Sequence, residues 1–253
     1  MDPLAQALDA VAADLQQARR LLFITGAGIS ADSGLPTYRG VGGLYNGVTT
    51  AEGFRIEDAL SGDMLRLRPD LTWKYLAQIE ETCRGAQPNA AHRAIAQLQA
   101  QRDVTVLTQN VDGLHRQAGS RDLIEIHGNL QVLDCTCCAF SEEVRDLAGR
   151  SLPPRCPECD GLLRPRVVLF GEALPEAALD RLYTVLESGV DMVFSIGTSS
   201  IFPYIVQPVV WAARSGITTV EINPARTPLS DIVSHYLPLG AAAAMTALLS
   251  RLE

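Results

Sequence analysis

Along residues 4–19, "LAQALDAVAADLQQAR", the apolar positions Leu4, Leu8, Val11, Ala12 and Leu15 recur at helical spacing, and the run that follows, "RLLFIT", is apolar without alternation. The first pattern predicts an amphipathic helix and the second a strand buried on both faces. The same pair returns along the chain. Helices are expected over "NAAHRAIAQLQAQ", "VDGLHRQAG", "IVQPVVWAARSG" and "AAAAMTALLSRLE", and strands over "VTVLTQN", "LIEIHG", "DMVFSIGTSS" and "ITTVEINP". Continuously apolar strands alternating with helices predict an α/β fold, a parallel sheet covered on both faces.

Two segments interrupt the alternation. Residues 46–83 read as short helices with no strand between them, and residues 131–166 are rich in cysteine and proline with no long periodicity. Together they are expected to form a small insert on a main domain made of 1–45, 84–130 and 167–253. Within the second segment Cys135 and Cys138, then Cys156 and Cys159, form two C-x2-C pairs separated by 17 residues. That spacing suits four thiolates closing tetrahedrally on one Zn2+ at about 2.3 Å, a closed site that holds structure and leaves no position for catalysis. The competing reading is four buried, unliganded cysteines, which pack as small apolar groups. Cys137 falls between two ligands and reads as a bystander that could substitute for one. Cys83 has no partner pattern and reads as packed.

Composition narrows the class. The chain has 253 residues, 47% hydrophobic, and a formal net charge of -8, enough apolar content for a sizeable core and the wrong charge for a nucleic-acid backbone as main partner. The beginning, "MDPLAQALDA", shows no basic region ahead of an apolar run, and no later stretch reaches the roughly 18 apolar residues of a membrane span. A cytoplasmic protein with no membrane partner is expected; its oligomeric state is left open.

Open α/β sheets bind ligands beyond the carboxyl ends of their strands. Here those ends are polar: Gly26, Ala27 and Gly28 after "LLFIT"; Thr108, Gln109, Asn110 and Asp112 after "VTVL"; His127 after "IEI"; Gly197, Thr198 and Ser199 after "VFSI"; Asn223 after "VEI". A glycine loop lets backbone approach a pyrophosphate, and small hydroxyls and amides suit ribose and phosphate oxygens. Each feature alone has a plainer reading, since glycines also serve tight turns and a lone histidine can be a satisfied core residue. The loop also departs from GxGxxG: after Gly26 and Gly28 the next glycine is Gly34.

The stretches "GAGISADSGLPTYRG", "TQNVDGLHRQAG", "EIHGN", the paired C-x2-C, "RPRVVLFGE", "GTSS" and "EINP" occur in an order that resembles the sirtuins, the NAD-dependent protein deacylases, over about residues 20–240. The resemblance implies a Rossmann-like domain, a smaller inserted zinc-binding and helical domain, and a cleft between them where NAD+ and an acylated protein lysine meet. It implies that the acyl oxygen attacks C1' of the ribose, expelling nicotinamide, that His127 acts as base on a ribose hydroxyl, and that O-acyl-ADP-ribose results. It also assigns Gln109, Asn110 and Asp112 to nicotinamide and ribose. Gly26, Ala27, Gly28, Ser30, Asp32, Pro36, Tyr38, Arg39 and Tyr45 then go to the pyrophosphate and a flap after Gly28. Gly197, Thr198, Ser199, Asn223 and the backbone at Ala241 go to adenosine. Residues 167–172 resemble the strand that pairs with the substrate backbone, giving Val168, Phe170, Gly171 and Glu172 to the peptide. Two departures are Tyr38, where Phe is usual, and Leu169, where an aromatic is common. Sirtuins that prefer acidic acyl groups carry Tyr-x-x-Arg near residue 75; here Tyr75 is followed by Gln78, so acetyl or another neutral acyl group is expected.

Other readings stay open on the residues alone. A NAD(P) oxidoreductase would use a glycine loop, but no acid stands near 45–50 for the ribose. A zinc-ribbon binding module would explain the cysteines and leave His127 idle. A mono-ADP-ribosyltransferase would keep the cofactor and change the acceptor.

Overall fold

The structure is a computed structural model that describes residues 2–37 and 49–252. Asp2 caps the first helix, α1 (Pro3–Gln17), its carboxylate accepting the Leu4 amide at 3.1 Å, with Pro3 in the first turn where a missing N–H is harmless. Leu8, Val11, Ala12 and Leu15 are buried, and every residue of β1 (Arg20–Thr25) after Arg20 is buried too. A 3-10 helix (Ala27–Ser33) leads away from β1. Ile29 is fully buried and pulls this turn onto the core, while the flap expected after Gly28 runs on into residues that lie outside the described ones.

Short helices α2 (Ile56–Ala59) and α3 (Gly62–Leu67) precede α4 (Pro69–Cys83), and α5 (Ala90–Leu98) and β2 (Asp103–Thr108) return the chain to the sheet. Helix α6 (Leu114–Gln117) is one turn, shorter than "VDGLHRQAG" suggested, because glycines at positive φ flank it: Gly113 at 74° and Gly119 at 95°. There follow β3 (Leu123–Glu125), β4 (Gly128–Cys135), β5 (Ser141–Glu143) and β6 (Leu163–Val167). The remainder is α7 (Glu176–Glu187), β7 (Met192–Ile196), α8 (Pro203–Arg214), β8 (Thr218–Ile222), β9 (His235–Leu237) and α9 (Ala241–Leu249). Among the described residues no helix is long and apolar enough to cross a membrane.

The main sheet has the order β3-β2-β1-β7-β8-β9, with all neighbours parallel. The chain builds outward from β1 in one direction and from β7 in the other, so the order reverses between these two strands. That reversal opens a crevice beyond their carboxyl ends. Alternate residues feed opposite cores, as doubly covered strands require. Phe23 and Phe194 stack at 4.6 Å among residues of α1, α5 and α9, while Leu22, Ile24 and Val193 face Leu182 of α7 and Val209 of α8.

A second, antiparallel sheet, β5-β4-β6, forms the scaffold of the cysteine-rich segment. Its strands were not foreseen because they are half-exposed and cut by charges, as in "LRPRV". The helices and this sheet share one core around Trp73, which is fully buried and whose indole N–H donates to the Leu163 carbonyl at 3.0 Å. Trp73→Phe leaves that carbonyl without its donor and opens a void. We expect a loss of about 2–4 kcal/mol, read as a lower denaturant midpoint at unchanged slope; wild-type stability would show that α4 is not held through this contact.

Candidate active site

Strands β1 and β7 leave the sheet side by side, and their loops touch backbone to backbone. The Gly26 amide donates to the Ile196 carbonyl at 3.1 Å and the Gly28 amide to the Gly197 carbonyl at 2.8 Å. A Cβ on Gly28 would lie 2.6 Å from the Gly197 Cα, and Gly197 itself sits at φ +61°. These glycines therefore fit each other first, which is why the spacing differs from a loop built to wrap one phosphate. Their outer faces, with Ala27, Thr198 and Ser199, form part of a cavity of about 570 Å³ at the switch point.

The other strand ends are clipped to this floor. The Asn110 amide donates to the Gly26 carbonyl and to Ser30 Oγ, both at 3.1 Å, and Ser30 Oγ donates to Asp112 at 2.7 Å. Gln109 Nε2 donates to Thr198 Oγ1 at 3.0 Å, and Asn223 Nδ2 to the Thr198 carbonyl at 2.9 Å. Burial raises the Asp112 carboxyl above its usual range, against the Leu114 amide and the Ser30 hydroxyl.

Four histidines occur in the chain, and one faces a described cavity. His92 and His115 lie in the core beneath the site, and burial holds both imidazoles neutral, His92 down to about 4. His235 lies on β9, 3.6 Å from Asp14. His127 is the cavity residue. Its Nδ1 is 3.0 Å from the Gln109 carbonyl, which can only accept, so Nδ1 carries a hydrogen and in the neutral ring Nε2 presents its lone pair. The hydroxyl of Tyr204 donates to that lone pair at 2.7 Å.

A second cavity of about 240 Å³ adjoins the first, and Ala27 and Asn110 line both. It holds Ser30, Pro36, Asp112, Tyr75 and Gln78. The Tyr75 hydroxyl donates to Glu52 at 2.5 Å, and Lys74 pairs with the same carboxylate. Lys74, then Tyr75, holds the Glu52 carboxyl down at about 2. Cys83, expected merely to pack, lines this cavity, its thiol pushed up to about 12 by burial and so kept neutral.

Of the segment 167–172 only Val167 belongs to a regular strand. The expected strand stops there because the Phe170 amide donates to Leu60 and its carbonyl accepts from Gly62, tying this stretch to the helices. The Val168 amide donates to the His127 carbonyl. Glu172 is gripped by both terminal nitrogens of Arg164, at 2.7 and 2.8 Å, and by the Leu169 amide; burial raises its carboxyl, but these donors outweigh it and leave it below its usual range. Val168, Phe170, Gly171 and Glu172 all line the larger cavity, with His127 and Asn223. Asp32 and Ala241 line neither: the Asp32 carboxylate accepts the Ala242 amide at 3.0 Å and anchors the start of α9. Tyr38, Arg39 and Tyr45 lie outside the described residues. Phe202, Tyr204 and Glu52 carry no signal in the sequence: the first two sit in the short stretch after "GTSS" and the third in a polar loop, where periodicity says nothing.

The sulfurs of Cys135, Cys138, Cys156 and Cys159 lie within 4.8 Å of one another, with Cys135–Cys159 and Cys138–Cys159 pairs at 3.5 Å. A tetrahedron of sulfurs about 2.3 Å from zinc has edges of about 3.8 Å, so the four thiols fit one structural zinc. Cys137 is exposed and is not in the cluster.

The Sir2 family model matches residues 26–203. A protein named NAD-dependent protein deacylase 2 from Pseudomonas syringae pv. tomato is 54% identical over 245 residues, covering 95% of this chain and 98% of its own. The NAD-dependent protein deacylase 2 of Pseudomonas aeruginosa is 56% identical over 227 residues, 88% of each chain. Among solved structures, a Sir2 homologue in complex with NAD aligns with a TM-score of 0.86 at 36% identity, over 96% of this chain and 93% of its own. A complex of Sir2, p53 peptide and NAD+ aligns with a TM-score of 0.82 at 28% identity, over 95% and 96%.

The cysteine geometry predicts one zinc per chain. Cys156→Ser, at a buried ligand, should lose the metal and unfold or aggregate, because metal binding here is folding free energy. Cys137→Ser should keep both zinc and fold. Metal analysis beside unfolding curves decides it: a zinc-free, stable Cys156→Ser variant would contradict the assignment.

Proposed function

We infer the function from the premise that the chain belongs to the Sir2 family. It is an NAD-dependent protein-lysine deacylase, with NAD+ as co-substrate and zinc in a structural role. The observation that carries the residue assignment is His127: an imidazole just beyond the carboxyl end of β3 that lines the larger cavity, with Nδ1 donating to the Gln109 carbonyl. NAD, when bound, supplies the nicotinamide leaving group and the ribose that takes the acyl group. The glycine floor, Thr198, Ser199 and Asn223 would hold its adenosine half, and Asn110, Ser30 and Asp112 the nicotinamide and its ribose. His127 would take a proton from a ribose hydroxyl, a task suited to an imidazole whose ordinary pKa of about 6.5 lies near working pH.

The peptide would lie along residues 168–171. The Val168 carbonyl and the Gly171 amide have no intramolecular partner among the described residues, and they offer a strand-like pairing edge beside His127. Pairing through backbone gives affinity with little sequence demand. We place the two-domain division at the boundaries the sequence suggested, with 46–83 and 131–166 as the smaller unit, a reading supported by their shared core around Trp73. Four cysteines clustered as a metal site and not paired as disulfides support a cytoplasmic setting.

The acyl group is read from the second cavity. The Tyr75 hydroxyl is committed to Glu52, a carboxylate at neutral pH, and Gln78 offers only neutral hydrogen bonds. An acidic acyl group would meet like charge and no guanidinium fork. We expect acetyl or another neutral acyl group to be removed in preference to succinyl. The missing charge-assisted recognition, about 1.5–3 kcal/mol, corresponds to a kcat/KM ratio of about 10–150, measured on acetylated and succinylated forms of one peptide. Gln78→Arg should gain desuccinylation, and more so with Glu52→Gln, which removes the carboxylate held on Lys74 and Tyr75 and so a competing negative charge beside the helix. A succinyl preference in the unmodified protein would overturn this reading.

His127→Ala should lose deacylation by about 10²–10⁴, the usual contribution of a general base, with zinc content and unfolding midpoint kept. Mass spectrometry of an acetylated peptide incubated with NAD reads it; near-native turnover would make His127 a packing residue.

A further inference from the structure

The lone pair on which His127 would act already has a donor. In the neutral imidazole, the form a base needs, the Gln109 carbonyl fixes the hydrogen on Nδ1, so Nε2 accepts and the Tyr204 hydroxyl, 2.7 Å away, is the donor. An imidazole nitrogen has one in-plane lone pair, so a sugar hydroxyl cannot share it with the phenol on equal terms. Either the phenol leaves or the proton passes through it.

The surroundings favour passage. Tyr204 is the second residue of α8, directly after Pro203, whose ring fixes its own backbone at the helix start. Its ring stacks on Phe202 with centroids 5.3 Å apart and planes 13° from parallel, and both rings meet the edge of His127, at 6.1 Å for Phe202 and 5.9 Å for Tyr204. Tyr204 also lines the larger cavity with His127, next to the space assigned to the sugar. A phenol that donates can still accept. With its single hydrogen committed to Nε2, it can meet a sugar hydroxyl only as acceptor, which is the direction deprotonation needs.

We propose that Tyr204 is the proton relay between the ribose hydroxyl and His127. The hydroxyl gives its proton to the phenol oxygen as the phenol passes its own to Nε2. The sugar oxygen keeps the electron pair with which it bonds the acyl carbon, the phenol ends neutral, and the imidazolium holds the proton until the departing lysine amine takes it back by the same route. The proposal rests on His127 being the base and adds the group that touches the substrate for it.

Tyr204→Phe keeps the stacked ring and removes only the hydroxyl. In the ligand-free protein, NMR of the imidazole nitrogens should show Nδ1 still protonated and the Nε2 signal moved toward that of an imine nitrogen without a hydrogen bond. With NAD and acetylated peptide, kcat for deacylation should fall roughly 10- to 100-fold, part of a general base's usual contribution. KM for NAD should change less than about threefold, and the ratio of nicotinamide exchange to deacylation should rise. An unchanged Nε2 signal, a kcat equal to or above wild type, or a loss confined to KM would each overturn the relay. His127→Ala run alongside separates the two ideas: if it too deacylates normally, the base assignment fails, whereas an inactive His127→Ala beside a fully active Tyr204→Phe removes the relay alone.

Discussion

The contact between Gly28 and Gly197, two backbones pressed together with no side chain between them, is the constraint on which the site depends. It joins the loops of β1 and β7 at the place where the strand order reverses, and so fixes the floor of the cavity before any ligand arrives. The remaining strand ends hang from that floor: Asn110 on the Gly26 carbonyl, Gln109 and Asn223 on Thr198, His127 on the Gln109 carbonyl. All but Gln109, which meets the Thr198 hydroxyl, use a backbone carbonyl beyond one strand to orient a side chain beyond another. An arrangement of this kind is set at folding, so little reorganisation is left for the moment of reaction.

Charge is distributed around this frame so that few ions face the cavities without a partner. Glu172 is held by Arg164, Glu52 by Lys74 and Tyr75, and Asp112 is shifted toward its neutral form by burial. His92 and His115 are neutral for the same reason. What remains for chemistry is one imidazole whose tautomer is defined, among amides and hydroxyls that suit a neutral acyl group and the oxygens of a sugar.

The main sheet was legible because its strands are long apolar runs with polar ends: "RLLFIT" is β1 residue for residue, and "VTVLT", "MVFSI" and "TTVEI" lie where β2, β7 and β8 do. The cysteine spacing was legible for a related reason, since tetrahedral coordination imposes its own register. What escaped was set by tertiary context. Strands β4 to β6 are held by pairing and by Trp73 more than by their own apolar content, and β9 is three residues at a sheet edge. The 3-10 helix over Ala27–Ser33 depends on Ile29 reaching the core. Tyr204 and Glu52 meet His127 and Tyr75, 77 and 23 positions away, contacts that no local pattern announces.

Transfer of the acyl group to the sugar of NAD is tested most directly by identifying the products of one reaction. Incubated with NAD and an acetylated lysine peptide, the protein should release nicotinamide, deacetylated peptide and O-acetyl-ADP-ribose in equal amounts, quantified by mass spectrometry. Free acetate formed without NAD consumption, or a peptide that gains ADP-ribose and keeps its acetyl group, would contradict it.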